Sequence, residues 1–218
     1  MLFPYSRIRL ALVLLLTGGL LSGCIPNATA PTRFYVLNPL DPGVSLVSRT
    51  DMNSTLSVEI ASLRLPQYLE RPQIVTRSGQ NRLELAEYHQ WGGNLRKNMM
   101  RTLAKNVSQL LGTPNVAISP YRPPIPPDFL VELEVMQFER DSHGQVRLST
   151  QWRLSRGEGG MPLATRITDL DSPKLPAEPG FEKTVSAMSA LMGELSQIIA
   201  GEILQHVNEK SGPQGGGG

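Results

Sequence analysis

Only one cysteine, Cys24, occurs in the 218 residues. No intrachain disulfide can form, and neither an all-cysteine zinc site nor a zinc finger with paired cysteines can be assembled. Histidine is scarce as well. His89, His143 and His206 stand apart, with no His-x-x-x-His or Glu-x-x-His pair, which argues against a histidine metal site. A Gly-x-Ser-x-Gly elbow is missing, and Cys24 has another use, so a hydrolase triad lacks a nucleophile signature. The absence of a Gly-x-x-x-x-Gly-Lys loop removes a P-loop nucleotide site. Asp169-Leu170-Asp171 would set two carboxylates on one face of a strand, which reads as a solvated acidic pair. The expectation is a protein that is not an enzyme and holds neither a cofactor nor a metal.

Charge of one sign is also lacking. Twenty-one Lys and Arg face 19 Asp and Glu over the whole chain. Residues 1–23 carry Arg7 and Arg9 and no acid, so their removal lowers the basic count from 21 to 19, against 19 acids. A neutral domain without a Lys/Arg block offers no footprint for nucleic acid, whose affinity rests on neutralised phosphates. What is present suits one globular domain: 40% hydrophobic residues, with 20 Gly and 18 Pro, loop-rich yet short of a disordered composition.

The first 23 residues read as a secretory signal. Arg7 and Arg9 form a basic start, residues 10–16 are wholly apolar, and small residues follow up to Cys24. A bilayer span wants about 20 apolar residues, and this stretch is shorter and interrupted by glycine. Leu21-Ser22-Gly23-Cys24 resembles the bacterial lipobox. The resemblance implies cleavage before Cys24, a diacylglyceryl group on its thiol and an acylated new amine. Three acyl chains hold a protein stably, since two already suffice. Ile25 stands where an aspartate would retain such a lipoprotein at the inner membrane, so the pattern implies a lipid anchor on the periplasmic face of the outer membrane.

Residues 24–32, the lipidated Cys24 and a small- and Pro-rich stretch without periodicity, read as a flexible tether, and residues 33–209 as the domain. Short β-type runs are expected at 34–37 and 56–61, a hairpin at 73–77 and 82–88, and a short strand at 116–118. From Trp91 the period changes: Trp91, Leu95, Met99, Leu103 and Val107 recur at three or four residues until Gly112 and Pro114, which predicts a helix. Its outward Arg96, Lys97, Arg101 and Lys105 read as a solvated face. Residues 120–127 hold five prolines and should be extended and exposed. Alternation in 129–138, with Phe129, Val131, Leu133, Val135 and Gln137 on the more apolar face, and in 146–154 predicts a long hairpin around a turn at 141–144, and 163–170 can add a strand. A second, longer helix is predicted from the spacing of Val185, Met188, Leu191, Met192, Leu195, Ile198, Ile199, Ile203 and Val207. Beside it run Ser186, Ser189, Gly193, Ser196 and Ala200, a stripe open to close packing within the chain or to self-association as a homo-oligomer. The Gly-rich tail 210–218 has nothing to bury and is expected to be disordered.

Three segments carry a family resemblance: Phe34-Tyr35-Val36-Leu37 soon after Cys24, then Leu65-Pro66-Gln67-Tyr68-Leu69-Glu70-Arg71-Pro72-Gln73-Ile74-Val75-Thr76-Arg77, then Tyr88-His89-Gln90-Trp91 with Leu95. Together they resemble the PqiC/YmbA-like ABC-type transport auxiliary lipoproteins. Phe138, Asp141, Gly144 and Trp152 extend the similarity to roughly residues 24–207, with departures in the Pro-rich segment and the tail. The resemblance implies an α+β fold, a mixed, largely antiparallel sheet covered on one side by two long helices in a single domain, which agrees with the independent reading of two helices and about seven strands.

It also implies an outer-membrane lipoprotein that serves as a docking or auxiliary subunit for an MCE-domain protein or ABC transporter components moving lipids or other hydrophobic molecules between membranes. The residues suggest where docking could fall: Leu65, Pro66, Tyr68, Leu69 and Arg71 form a loop that Pro66 keeps out of a helix, with Trp91 nearby. The same residues admit another use, in which Tyr68, Leu69 and Trp91 cap the core and Arg71 pairs with a carboxylate. Two further functions stay open: a carrier holding a hydrophobic ligand between sheet and helices, with Met99, Met100, Met188 and Met192 as lining, and a structural envelope lipoprotein.

Overall fold

A computed structural model describes residues 30–47, 55–121, 126–157, 160, 162–176 and 180–211. The signal, Cys24, most of the tether, residues 122–125 of the Pro-rich segment and the tail from 212 lie outside these. Along the chain the described residues form β1 (Arg33–Tyr35), β2 (Val58–Arg64), β3 (Gln73–Gly79), β4 (Arg82–Trp91), α1 (Leu95–Leu111), β5 (Val116–Ile118), β6 (Phe129–Arg140), β7 (Val146–Arg156), β8 (Pro162–Asp171) and α2 (Gly180–Ser211). A short 3-10 turn, Gln67–Leu69, separates β2 from β3.

All eight strands join one mixed sheet. Its spine is β6, which pairs antiparallel with β7 along its whole length, as β7 does with β8. On the other edge of β6, β2 runs parallel to residues 129–134 and β3 joins through Thr76 and Arg140. Beyond β2 lies β5, and beyond β3 lie β4 and then β1. Four of the seven pairings are parallel, but the antiparallel ones hold the long registers. Both long helices pack against the sheet and one another. Phe129, Val131, Leu133, Val135, Leu148, Trp152 and Leu154 point into one continuous core with Met99, Leu103, Val107, Leu195 and Ile199. On the opposite face, exposed side chains pair as Arg64 with Glu134 and Arg153 with Glu132.

The alternation expected through Gln137 breaks at Met136. Val135 pairs with Thr150 and Gln137 with the next residue, Ser149, so β6 carries an extra residue there, a β-bulge. Past the bulge the faces exchange: Phe138, not Gln137, enters the core. A second correction concerns Trp91, expected to open the first helix. It ends β4 beside Tyr35 and donates its N–H to Pro72 O at 2.7 Å. Gly93, at φ +120°, turns the chain, and Asn94 Oδ1 caps the helix by accepting the Lys97 N–H at 3.1 Å. The four-residue spacing from Trp91 to Leu95 was therefore a coincidence across a strand end.

Residues 36–47 cross the helix pair. Asn38 N donates to Ser189 Oγ at 3.0 Å, Leu40 N to Asn106 Oδ1 at 2.8 Å and Leu46 N to Leu110 O at 3.0 Å. Between the helices the fully buried Asn106 Nδ2 donates to Ser196 Oγ at 3.0 Å. The small-residue stripe of α2 serves this crossing. A Cβ on Gly193 would stand 2.6 Å from Leu40 Cδ2, and Ser196 and Ala200 are buried, whereas Ser186 is exposed.

Candidate functional site

The 65–72 segment is a gap in a sheet edge. β2 and β3 lie along the same side of β6, and between them the chain leaves the edge. Pro66, at φ −62° and ψ 145°, keeps the entry extended. The turn then closes with Leu69 N donating to Pro66 O at 2.9 Å and Glu70 N to Gln67 O at 3.2 Å.

Glu139 pins this gap. Its side chain is fully buried, and its Oε2 accepts from Tyr68 Oη at 2.9 Å and from Phe138 N at 3.0 Å. Oε1 accepts from Arg77 Nε at 2.9 Å, with Nη2 also at 2.9 Å. One carboxylate thereby ties the turn, β3 and β6 together. Burying a carboxylate without such partners is costly, and three donors meet that demand here. Burial, then the charge of Glu139 and its hydrogen bond, raise the Tyr68 phenol well above its ordinary value, so the hydroxyl stays a donor. Burial works against the Arg77 charge, but the bonds to Glu139 outweigh it and raise that guanidinium too.

Each candidate docking residue now has a place. Leu69 and Trp91 are 2% and 4% exposed and belong to the core, and Leu65 and Tyr68 pack partly buried against it. Pro66 is half-buried at the turn. Arg71 is exposed and engages no carboxylate among the described residues. The arginine that binds an acid is Arg77, six residues on. Glu139 did not stand out in the sequence, and Arg77 closed the 65–77 segment without a role, because strict alternation groups Glu139 with Val135 and Gln137 on the core face and only the bulge turns it to the opposite face, where Tyr68 and Arg77 reach it. The four methionines proposed as ligand lining, Met99, Met100, Met188 and Met192, are buried in the common core. An open groove of about 590 Å³ lies elsewhere, along β5, lined in part by Val116, Ile118, Tyr121 and Pro127.

A second acid-centred corner closes the β6–β7 hairpin. Asp141 Oδ1 accepts from His143 N at 2.8 Å and Gln145 N at 3.0 Å, and Oδ2 from Arg147 Nε at 2.7 Å. Burial alone would raise this carboxyl, but the Gln145 N–H, the Arg147 guanidinium and the His143 N–H together hold it below the ordinary range. Both corners consume their polar groups in structure. No group of three or more His, Cys, Asp or Glu able to hold a metal occurs among the described residues, and no described helix is long and apolar enough to cross a membrane.

A single α+β domain, with a mixed sheet backed by two helices and its polar clusters spent on holding strands together, is the class this geometry defines. The chain belongs to the family described as the ABC-type transport auxiliary lipoprotein component, whose model matches residues 35–200. Among solved structures it is similar to a protein from Xanthomonas campestris of the DUF330 family, at 14% identity and a TM-score of 0.65, covering 84% of this chain and 100% of that one. An uncharacterized protein known from its crystal structure matches at 19% identity and a TM-score of 0.63, covering 80% of this chain and 99% of the other. These two likenesses concern the fold. No curated protein matches the chain.

Proposed function

We propose that this auxiliary lipoprotein is anchored by acylated Cys24 to the periplasmic face of the outer membrane and docks an MCE-domain protein or ABC transporter component that moves lipids or other hydrophobic molecules. The observation that carries the docking reading is the 65–72 turn. Its Tyr68 and Leu69 are held by Glu139 and the core, while Arg71 at its rim is exposed and free of acids among the described residues. A charged side chain on a rigid turn is suited to meeting a partner's acidic group, because little ordering is needed on binding. The methionines offer the carrier reading less, since their side chains fill the core rather than line a cavity.

The test is affinity purification of the full chain from detergent-solubilised envelope, with mass spectrometry of proteins and lipids, beside Arg71→Glu. That residue is chosen because its replacement leaves the core contacts of Tyr68 and Leu69 intact. Recovery of an MCE-domain or ABC component that Arg71→Glu loses is the expected result. Recovery of lipid without any protein partner would replace docking with the carrier reading.

A further inference from the structure

β1 and the two residues that continue it, Val36 and Leu37, carry apolar side chains on both faces. Tyr35 and Leu37 turn inward: the Tyr35 hydroxyl lies 2.7 Å from His89 Nδ1, Phe181 at the start of α2 stacks on His89 at 4.2 Å, and Leu37 is buried. Phe34 and Val36 turn outward and are 66% and 52% exposed. They do not hang on a loose end. β1 pairs parallel with β4, Gly92 N donates to Tyr35 O at 2.7 Å, and Val36 lies so close over Gly92 that a Cβ there would stand 3.1 Å from Val36 Cγ1. Scattered exposed apolar residues are ordinary. Two held close together where an edge strand ends, near an exposed Arg33 with no acid partner among the described residues, are better suited to a surface that is apolar within and anionic at its rim.

The length of chain before β1 says which surface. Cys24 precedes Phe34 by ten residues, so full extension separates them by no more than about 35 Å, and a flexible chain of that length averages about 18 Å. A patch tethered so closely meets the bilayer intramolecularly, where weak contacts suffice for occupancy. We infer that β1 and the residue after it lay Phe34 and Val36 against the lipid surface that holds Cys24, with Arg33 among the headgroups. This rests on the lipid-anchored reading above.

The experiment uses the full acylated chain in vesicles of phosphatidylethanolamine and phosphatidylglycerol whose acyl chains are dibrominated. Phe34→Trp adds an emitter at β1, and Ile167→Trp adds one at an exposed position on β8, the opposite sheet edge. Emission of the native Trp91 and Trp152 is subtracted, and flotation with the vesicles is scored for the intact chain and for Cys24→Ala. The inference expects roughly twofold quenching of the added emission for Phe34→Trp, at the depth of an interfacial side chain, and none for Ile167→Trp. Flotation that requires Cys24 without quenching in Phe34→Trp overturns the inference and leaves the anchor standing. A blue shift in Phe34→Trp that brominated lipid does not quench also overturns it, in favour of a protein partner on β1. Flotation that does not require Cys24 removes the tether, and with it both readings.

Discussion

Two glutamates five residues apart on β6 each bind one arginine, and they do different work. Glu134 meets Arg64 at 2.7 Å with side chains 51% and 70% exposed, whereas Glu139 meets Arg77 at 2.9 Å with its side chain fully buried. The shorter pair is the weaker contributor, because water screens an exposed ion pair and holding two long side chains in one geometry costs entropy. Burial, not distance, makes Glu139 matter. Its neighbours are committed: remove it and the Tyr68 hydroxyl and the Arg77 guanidinium lose their acceptor in a place where water cannot fully replace it.

Glu139→Ala should break the comparison most sharply, costing about 3 kcal/mol of stability in urea denaturation, with Glu139→Gln falling between it and the wild type. A loss no larger than that of an exposed pair would mean the 65–72 turn is held by Leu69 and the core alone. Asp141→Asn gives a smaller, pH-dependent effect. Because the folded Asp141 carboxyl titrates below its unfolded value, its stabilising contribution is present above about pH 4 and is lost as the pH falls through the depressed folded value. The variant should therefore show a flatter acid limb in a pH series of denaturation midpoints and be less stable than the wild type near neutrality. An unchanged acid limb would refute the assignment. Arg64→Ala is the smallest: no measurable shift of the midpoint at ordinary salt is expected, and a clear loss would show that the open sheet face is more ordered than its exposure implies.

Much of the fold was legible because each element carried a local periodicity. The hairpin around Asp141, the strand at 116–118 and the α2 stripe follow from alternation, turn residues and helical spacing, which the backbone geometry converts directly into structure. The misreadings sit where local rules were overruled by pairing. Trp91 fitted a helical spacing but is held by Tyr35 on β1, more than fifty residues earlier. Gln137 fitted the apolar face but the bulge at Met136 exchanged it for Phe138. The candidate docking residues were legible as a group and not as roles. Tyr68, Leu69 and Trp91 belong with the core and Arg71 with the surface, a division that depends on what lies beneath each side chain.

By itself the sequence determined the single α+β domain, the near-even balance of charge, the order of its elements and the membership of its family, since composition and periodicity are properties of the chain wherever it lies. Only the tertiary structure decided which acid is a pin and which is a surface partner, that β2 and β3 share one edge of β6, and that the small residues of α2 receive residues 38–40 of the same chain. Those outcomes depend on residues far apart in sequence reaching one place, where exclusion of water makes a hydrogen bond or a missing Cβ count.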